Sequence, residues 1–514
     1  MSNNKFYIVG GGSFSEKVAT ILNKNKILYD FIDEYKESPF MGKKVFRAAD
    51  IKDISRPCII TISIKEYAEL AERRLIKQGV PSANIVQLNY DSAAVLLDEM
   101  FKQDRTRCTE LLSSGLKSFP SIERAFFVKE DIVFDNDRKN IGFYYLGRAG
   151  GFRQHAGGVP KLLDKTYNVI TYSDEPPTDG ECNKKYMLMS QESMLSNKDV
   201  DIAITTHFYP CSPPVTPKLT MMHMVYDFLI NRKIVAEVIG QANTHYLFIP
   251  SVPSMELHKR ICFESKLQNN VVLIPGGYPR HDRNAINFAR EKKKYQRPNS
   301  IIYAPTLSSF FDSSESKYSY SILEAEFFIP KILKKFPTKR FIFRPHPEDL
   351  DFLNAGINTA RAQAFRNIIA FCEQHPRCDI DDKKTDYIKS FVESAIMISD
   401  TSAIAFSFAL TTKRPVIFFS PNQKELSKAL PDIQYIKDRG KLGTCVENQE
   451  QLFTALEVYL NGGEHHFSTT HDCHDVIYNE GFSEQYLIDN FHYITENKRH
   501  PDWWYLRDHI HNEA

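Results

Sequence analysis

The chain has 514 residues, 42% of them hydrophobic, enough for about three domains with cores of their own. Lys and Arg number 65 against 64 Asp and Glu, so there is no global basic excess of the kind that nucleic acid selects, and no nucleic-acid partner is expected. The nine cysteines are scattered and include no C-x-x-C pair, which argues for reduced thiols in a cytoplasmic setting and against cysteine-held metal.

In chain order, Met1 leads through Ser-Asn-Asn-Lys straight into a strand, without the apolar run of a secretory leader. No stretch approaches the ~18 uninterrupted apolar residues of a membrane-spanning helix. Residues 1–92 read as a small Rossmann-like α/β domain: strand Lys5 to Val9, turn Gly10-Gly11-Gly12, helix Ser15 to Asn23, strand Ile27 to Ile32 ending in Asp33, then strand Cys58 to Ile62, helix Lys65 to Gln78 and strand Asn84 to Leu88. Residues 93–137 are helical and charged, and are expected to form a connector packed between domains.

A second α/β block is expected over 138–283, with strands near Ile141 to Tyr145, Val169 to Tyr172, Ile202 to Thr205 and Val271 to Pro275, and glycine-rich turns between Gly147 and Gly158. The third, 284–495, alternates most cleanly. Its strands are Ser300 to Ala304, Phe341 to Arg344, Ile396 to Ser399 and Val416 to Phe419, separated by helices such as Ile322 to Lys335 and Tyr387 to Glu393. Such alternation predicts a mostly parallel sheet covered on both faces, with ligands at the carboxyl ends of its strands. Residues 496–514 are left as a C-terminal tail.

Two of those strand ends carry chemistry. In Arg344-Pro345-His346-Pro347 the prolines stop the strand and hold an imidazole beside a guanidinium. In Ser399-Asp400-Thr401-Ser402-Ala403 a turn and N-cap open a small-residue helix, whose first N–H groups and partial positive charge suit phosphate. The basic runs Arg290 to Lys294 and Lys334 to Arg340 read as solvated helix ends, with peripheral contact to an anionic membrane as the alternative. His465-His466 and His471-Asp472-Cys473-His474 read as a solvated loop rather than a metal site.

The ordered series Gly277-Tyr278-Pro279-Arg280-His281-Asp282, Tyr303-Ala304-Pro305-Thr306, Arg344-Pro345-His346-Pro347, Ser399-Asp400-Thr401-Ser402, Arg414-Pro415-Val416-Ile417-Phe418-Phe419 and the tail Asp475-Val476-Ile477-Tyr478-Asn479-Glu480-Gly481 resembles the CDP-glycerol glycerophosphotransferases of teichoic-acid and capsule synthesis. The resemblance covers about residues 200 to 495. It implies α/β architecture of the GT-B type, a pair of Rossmann-like lobes with 138–283 on the acceptor side and 284–495 on the CDP-donor side, here with an additional N-terminal α/β domain. It also implies transfer of a polyol phosphate from a CDP-linked donor, such as CDP-glycerol, to a hydroxyl of a glycan or lipid-linked glycan. The expected location is the cytoplasm, with the inner face of the cell membrane as the alternative.

Two histidines carry the family's chemistry. Their counterparts are His346 and, in Thr220-Met221-Met222-His223-Met224-Val225-Tyr226-Asp227, His223, where Met222 and Met224 replace the family's tryptophan and glycine. Donor binding would fall to Arg280, Thr306, Arg344, Asp400, Thr401 and Ser402. The family's Asp-Tyr-Ser-Ser is Asp400-Thr401-Ser402-Ala403 here, and its acid after the Pro-Ile-Ile-Phe strand is Asn422. No cofactor or resident metal is predicted, although phosphoryl transfer is compatible with Mg²⁺, for which Asp282 or Asp400 are the candidates. The alternatives are a GT-B glycosyltransferase using a nucleotide-sugar and a non-catalytic nucleotide- or glycan-binding partner. The N-terminal segment, with Tyr7 to Phe14, Phe31-Ile32-Asp33 and Met41 to Val45, resembles the nucleotide-sugar-holding domain of PglD-type O-acyltransferases, which makes Gly10, Gly11, Gly12 and Asp33 its candidate ligand residues.

Overall fold

A computed structural model of the chain describes residues 5–36, 38–88, 91–116, 118–127, 135–146, 152–177, 185–227, 232–295, 297–307, 321–354, 359–383, 386–461 and 476–510. The histidine-rich loop from His465 to His474, Asp475 of the tail motif and the first glycine turns at Gly147 to Gly151 lie outside the described residues. The chain divides into two compact units: Met1–Ala149 with Thr166–Thr205 and Tyr209–Pro217, and Gly150–Lys165 with Thr206–Phe208 and Lys218–Ala514. These boundaries pass through the block expected at 138–283.

In the first unit, β1 (Lys5–Val9), β2 (Leu28–Ile32), β3 (Val45–Phe46), β4 (Cys58–Ile60) and β5 (Ile85–Gln87) form a sheet in the order β3-β2-β1-β4-β5. All its pairings are parallel. Successive side chains of a strand point to opposite faces. Phe6 and Ile8 therefore enter one core with Phe31 and Ile59, while Tyr7 and Val9 enter another with Cys58 and Ile60. The helices Asp91–Gln103, Arg105–Leu112 and Phe119–Phe127 place Leu97, Met100, Leu112 and Phe126 in the core that holds Phe6 and Ile8. The segment expected to be a connector is thus a cover of the first sheet, because its apolar stripe is satisfied there. The unit's remaining strands, β6 (Asn140–Tyr145), β7 (Asn168–Ser173), β8 (Tyr186–Leu188) and β9 (Ile202–Thr205), run parallel in the order β8-β7-β6-β9.

In the second unit β10 (Lys218–Met221), β11 (Thr244–Ile249) and β12 (Asn270–Pro275) are parallel neighbours. Beyond them β13 (Ser300–Tyr303), β14 (Arg340–Phe343), β15 (Cys378–Ile380), β16 (Ser394–Ser399), β17 (Val416–Phe419) and β18 (Gly443–Val446) build a six-stranded parallel sheet in the order β15-β14-β13-β16-β17-β18. Its first strand lies in the middle, and the winding reverses between β13 and β16, as in nucleotide-binding Rossmann sheets. Alternation again feeds two cores. Tyr303, Phe343 and Ile398 point into one, and Ile302, Ile342 and Met397 into the other.

The chain's end is more than a tail. After the helix Ser483–Thr495, β19 (Trp504–Tyr505) adds to β12 as an antiparallel edge. The basic runs carry local counter-charges: Lys294 sits 2.8 Å from Glu291, Lys335 2.7 Å from Glu457 and Arg340 2.6 Å from Asp379. Among the described residues no helix is long and apolar enough to cross a membrane.

Candidate active site

The reversal point of the six-stranded sheet sets the site. Thr306 follows β13, His346 follows β14, and Asp400 to Ser402 follow β16, so all emerge at the carboxyl edge of three adjacent strands. With neighbouring strands about 4.8 Å apart, His346 and Ser402 leave strands about 10 Å from each other. Ser402 is the N-cap of the helix Ala403–Thr412, and its side chain makes no capping hydrogen bond. The first N–H groups of that helix have no intrahelical acceptor, which makes its start an anion-attracting end.

Asp400 is engaged by the protein's own donors. One carboxylate oxygen accepts the backbone N–H groups of Thr306, at 2.7 Å, and Thr401, at 2.8 Å. The other accepts the Ser321 hydroxyl at 3.3 Å. Burial pushes its pKa up to about 6, against the pull of those donors. It ties the β13 and β16 loops together, and the backbone N–H groups of Thr306 and Thr401, two of the residues expected to bind the donor, are spent on it. Asp282, the other candidate for Mg²⁺, accepts the N–H groups of Gly481 and Ser483 at 2.7 and 2.9 Å and also the Ser483 hydroxyl. Among the described residues no group of three or more His, Cys, Asp or Glu side chains is placed to hold a metal ion.

The two arginines meet on one tyrosine. The Arg280 guanidinium carbon lies 4.8 Å, and that of Arg344 5.1 Å, from the centre of the Tyr387 ring. Arg280 Nε donates to the Tyr387 hydroxyl at 2.9 Å. Arg344 is only 5% exposed and pairs with Asp381 at 2.7 Å, so much of its charge is answered inside the protein. Both arginines contribute positive potential to the carboxyl edge while serving as parts of its wall.

His223 follows β10 in a turn that several side chains fasten. Ser251 donates to the Val225 carbonyl at 2.7 Å. Asp227 accepts the N–H groups of Gln434 and Tyr435 at 2.7 and 2.8 Å, which caps the helix Gln434–Leu442. Tyr226 lies against Phe406 of the Ser402 helix, ring centres 4.6 Å apart, and donates to Asp438 at 2.8 Å. Tyr435 in turn donates to the Ser402 carbonyl at 2.8 Å. These contacts tie the His223 turn to the start of the phosphate-suited helix.

Around His223 stand residues that the sequence did not single out as site residues. His155 lies 6.1 Å away, ring centre to ring centre, and His155 Nδ1 is 2.6 Å from the Tyr278 hydroxyl. That hydroxyl donates to the His223 carbonyl at 2.9 Å. Burial pulls the His223 imidazole down to about 4. His207 is pulled down to about 3 by burial, with the charges of His223 and Lys218 adding to it. His155 is held well below the usual imidazole range by burial first, then by Arg280, His223 and His207. All three are therefore neutral near pH 7. His155 and His223 are only half-buried, so a desolvated imidazole is still reachable from outside. The sequence signals were faint: His155 sits beside the pair Gly157-Gly158, and His207 follows the apolar run of β9.

In the N-terminal sheet the four candidate residues come together. Gly10, Gly11, Gly12 and Asp33 line a cavity of about 700 Å³ at the carboxyl ends of β1, β2 and β4. Asp33 Oδ1 accepts the N–H groups of Tyr35 and Lys36 at 2.8 and 2.7 Å.

A Rossmann-ordered parallel sheet with His346 and a helix terminus at its carboxyl edge, tied through Tyr226 and Phe406 to a turn that carries a neutral imidazole, defines a class, an enzyme acting on an activated phosphate compound. The model of the family described as CDP-Glycerol:Poly(glycerophosphate) glycerophosphotransferase matches residues 232–492, just over half of the chain. The chain belongs to that family and is a glycerophosphotransferase-type enzyme. No curated protein sequence matches it. Among solved structures it is similar to the wall teichoic acid polymerase TagF, at 15% identity over 78% of this chain and 98% of that one, TM-score 0.49. A TagF variant soaked with CDPG matches at 14% identity over the same shares, TM-score 0.49. A UDP-N-acetylglucosamine 2-epimerase from Rickettsia bellii matches at 11% identity over 70% of this chain and 96% of that one, TM-score 0.42.

Proposed function

We propose that this enzyme moves glycerol phosphate from CDP-glycerol to a hydroxyl of a surface glycan or lipid-linked glycan, with His223 as general base and the helix starting at Ser402 as the diphosphate site. The observation that carries the reading is the pairing of a neutral, reachable imidazole at His223 with a turn fastened to that helix through Tyr226 and Phe406. An alcohol is a poor nucleophile at neutral pH, and a neutral imidazole accepts its proton as attack proceeds. The acceptor oxygen forms a bond to the distal phosphorus, the bridging P–O bond breaks, and its electron pair leaves with CMP. The negative charge that builds on the phosphoryl oxygens is met by the N–H groups at the start of the Ser402 helix, residues 402 to 404, and by His346, with Arg280 and Arg344 behind them. Such an enzyme works at the inner face of the membrane that carries its acceptor.

The test is release of CMP from CDP-glycerol in the presence of a glycan acceptor, run beside UDP- and GDP-linked donors. Turnover of CDP-glycerol at a kcat/KM at least tenfold above the others is the expected result. Turnover of a UDP- or GDP-sugar alone would replace this reading with a glycosyltransferase.

The N-terminal cavity is read as a separate nucleotide site, the phosphates at the Gly10 to Gly12 turn and the ribose on Asp33. Gly12 has φ −99° and ψ −176°, and a Cβ there meets nothing within 4 Å, so any residue fits. Gly12→Asp keeps a favourable N-cap but puts a carboxylate where phosphate would lie. It should weaken nucleotide binding by at least tenfold in titration calorimetry with CDP and UDP. Equal binding by both proteins would remove the site.

A further inference from the structure

The ties that fasten the His223 turn act on different residues. Ser251 holds Val225, Asp438 holds Tyr226, and the helix Gln434–Leu442 holds Asp227. The Tyr278 hydroxyl holds the His223 carbonyl itself, and it also meets His155. Tyr278 is rigidly based. It is the N-cap of the helix Pro279–Lys292, and Gly277 before it has φ +98°, where a Cβ would come within 2.4 Å of the Tyr478 carbonyl. Its ring is buried, stacks on His155 with centres 5.8 Å apart, and is 4% exposed.

The direction of the hydrogen bonds follows from counting protons. A carbonyl cannot donate, so the single phenolic proton of Tyr278 goes to His223. The oxygen must then accept from His155, which places the imidazole proton of His155 on Nδ1. Burial pushes the Tyr278 phenol upward, so it keeps its proton throughout the working pH range.

We propose that Tyr278 is a positioning residue for the transfer: one hydroxyl fixes the main chain of His223 and the Nδ1–H tautomer of His155, so that the general base keeps its aim. The inference rests on the reading of His223 as base. Its geometric half, the tautomer, does not need that reading.

Tyr278→Phe removes the oxygen and leaves the ring in place, and the ties to Val225, Tyr226 and Asp227 keep the turn. With CDP-glycerol as donor, kcat is expected to fall by ten- to a hundredfold while KM for the donor changes by less than threefold, the pattern of a misaimed base rather than a lost ligand contact. Nitrogen-15 NMR of histidine-labelled protein should show His155 as the Nδ1–H tautomer in the parent chain and a shift of its population toward Nε2–H in the variant. Wild-type kcat in the variant, a rise in KM that accounts for the whole loss, or an unchanged His155 tautomer would each overturn the proposal. If the parent chain fails to turn over CDP-glycerol, the functional reading falls alone, and the tautomer measurement still decides the hydrogen-bond assignment.

Discussion

His223→Ala should lower kcat for CMP release by about a thousandfold, the middle of the range for loss of a general base, with donor affinity nearly intact. The diphosphate is read to bind at the start of the helix Ala403–Thr412, and the turn is held by Val225, Tyr226 and Asp227, so truncating the imidazole does not dismantle the donor site. The pH profile carries a second signature. An ordinary imidazole titrates near 6.5 and is about nine-tenths protonated at pH 5.5. His223, lowered to about 4 by burial, remains a base there. The expected kcat/KM is therefore flat from pH 8 to about 5.5. Activity in the variant within tenfold of the parent, or an acid limb centred at 6.5, would remove His223 from the chemistry.

Acidification should unfold the second unit between about pH 5 and 4. His207, His245 and His258 are 1%, 0% and 1% exposed, and burial lowers them to about 3, 3 and 4. His245 donates from Nδ1 to the Ile239 carbonyl at 3.3 Å and its Nε2 meets the Thr220 hydroxyl at 2.8 Å, so the neutral ring is already satisfied. The sign follows from linkage. Folded-state pKa values lie below the unfolded value, so between about 6.5 and 4 the unfolded chain binds more protons, and stability falls as pH falls. Each of the three costs about 3 kcal/mol at pH 4, from 1.36 kcal/mol per pKa unit. Asp400 works the other way. Its pKa is raised to about 6, so protonation on acidification favours the folded state by about 2 kcal/mol. The balance, about 7 kcal/mol, is comparable with the whole stability of a domain. Calorimetric melting should show Tm falling steeply below pH 6.5, with a shallower slope in His258→Leu. A Tm independent of pH down to 4.5 would mean that these imidazoles are charged in the folded protein.

What could be seen in the chain beforehand followed local rules. β1, β13, β16 and β17 are buried on both faces, so each is a continuous apolar run. Other strands escaped. β15 and β18 are edge strands with exposed or half-buried positions, and β10 and β11 open on Lys218 and Thr244. The helices Asp91–Gln103 and Phe119–Phe127 could be read as helices but not placed. Their partner core is built from β1 and β2, far away in sequence.

The site divides in the same way. That His346 and Ser402 end strands of one parallel sheet is written in short-range pattern, since an apolar run followed by Pro-His-Pro or Asp-Thr-Ser states its own geometry. Asp400 and Arg344 carried the right chemistry at the right strand ends, yet their partners Thr306, Ser321 and Asp381 turn them inward, and only packing shows that. The bond from Tyr278 to His155 spans 123 residues. Hydrophobic periodicity and turn chemistry act over a few neighbours, and they determined by themselves that this is an α/β protein of parallel sheets with an anion-suited edge. Which imidazoles meet there, and which charges are already answered, depends on contacts between distant segments whose energies exist only once both are folded.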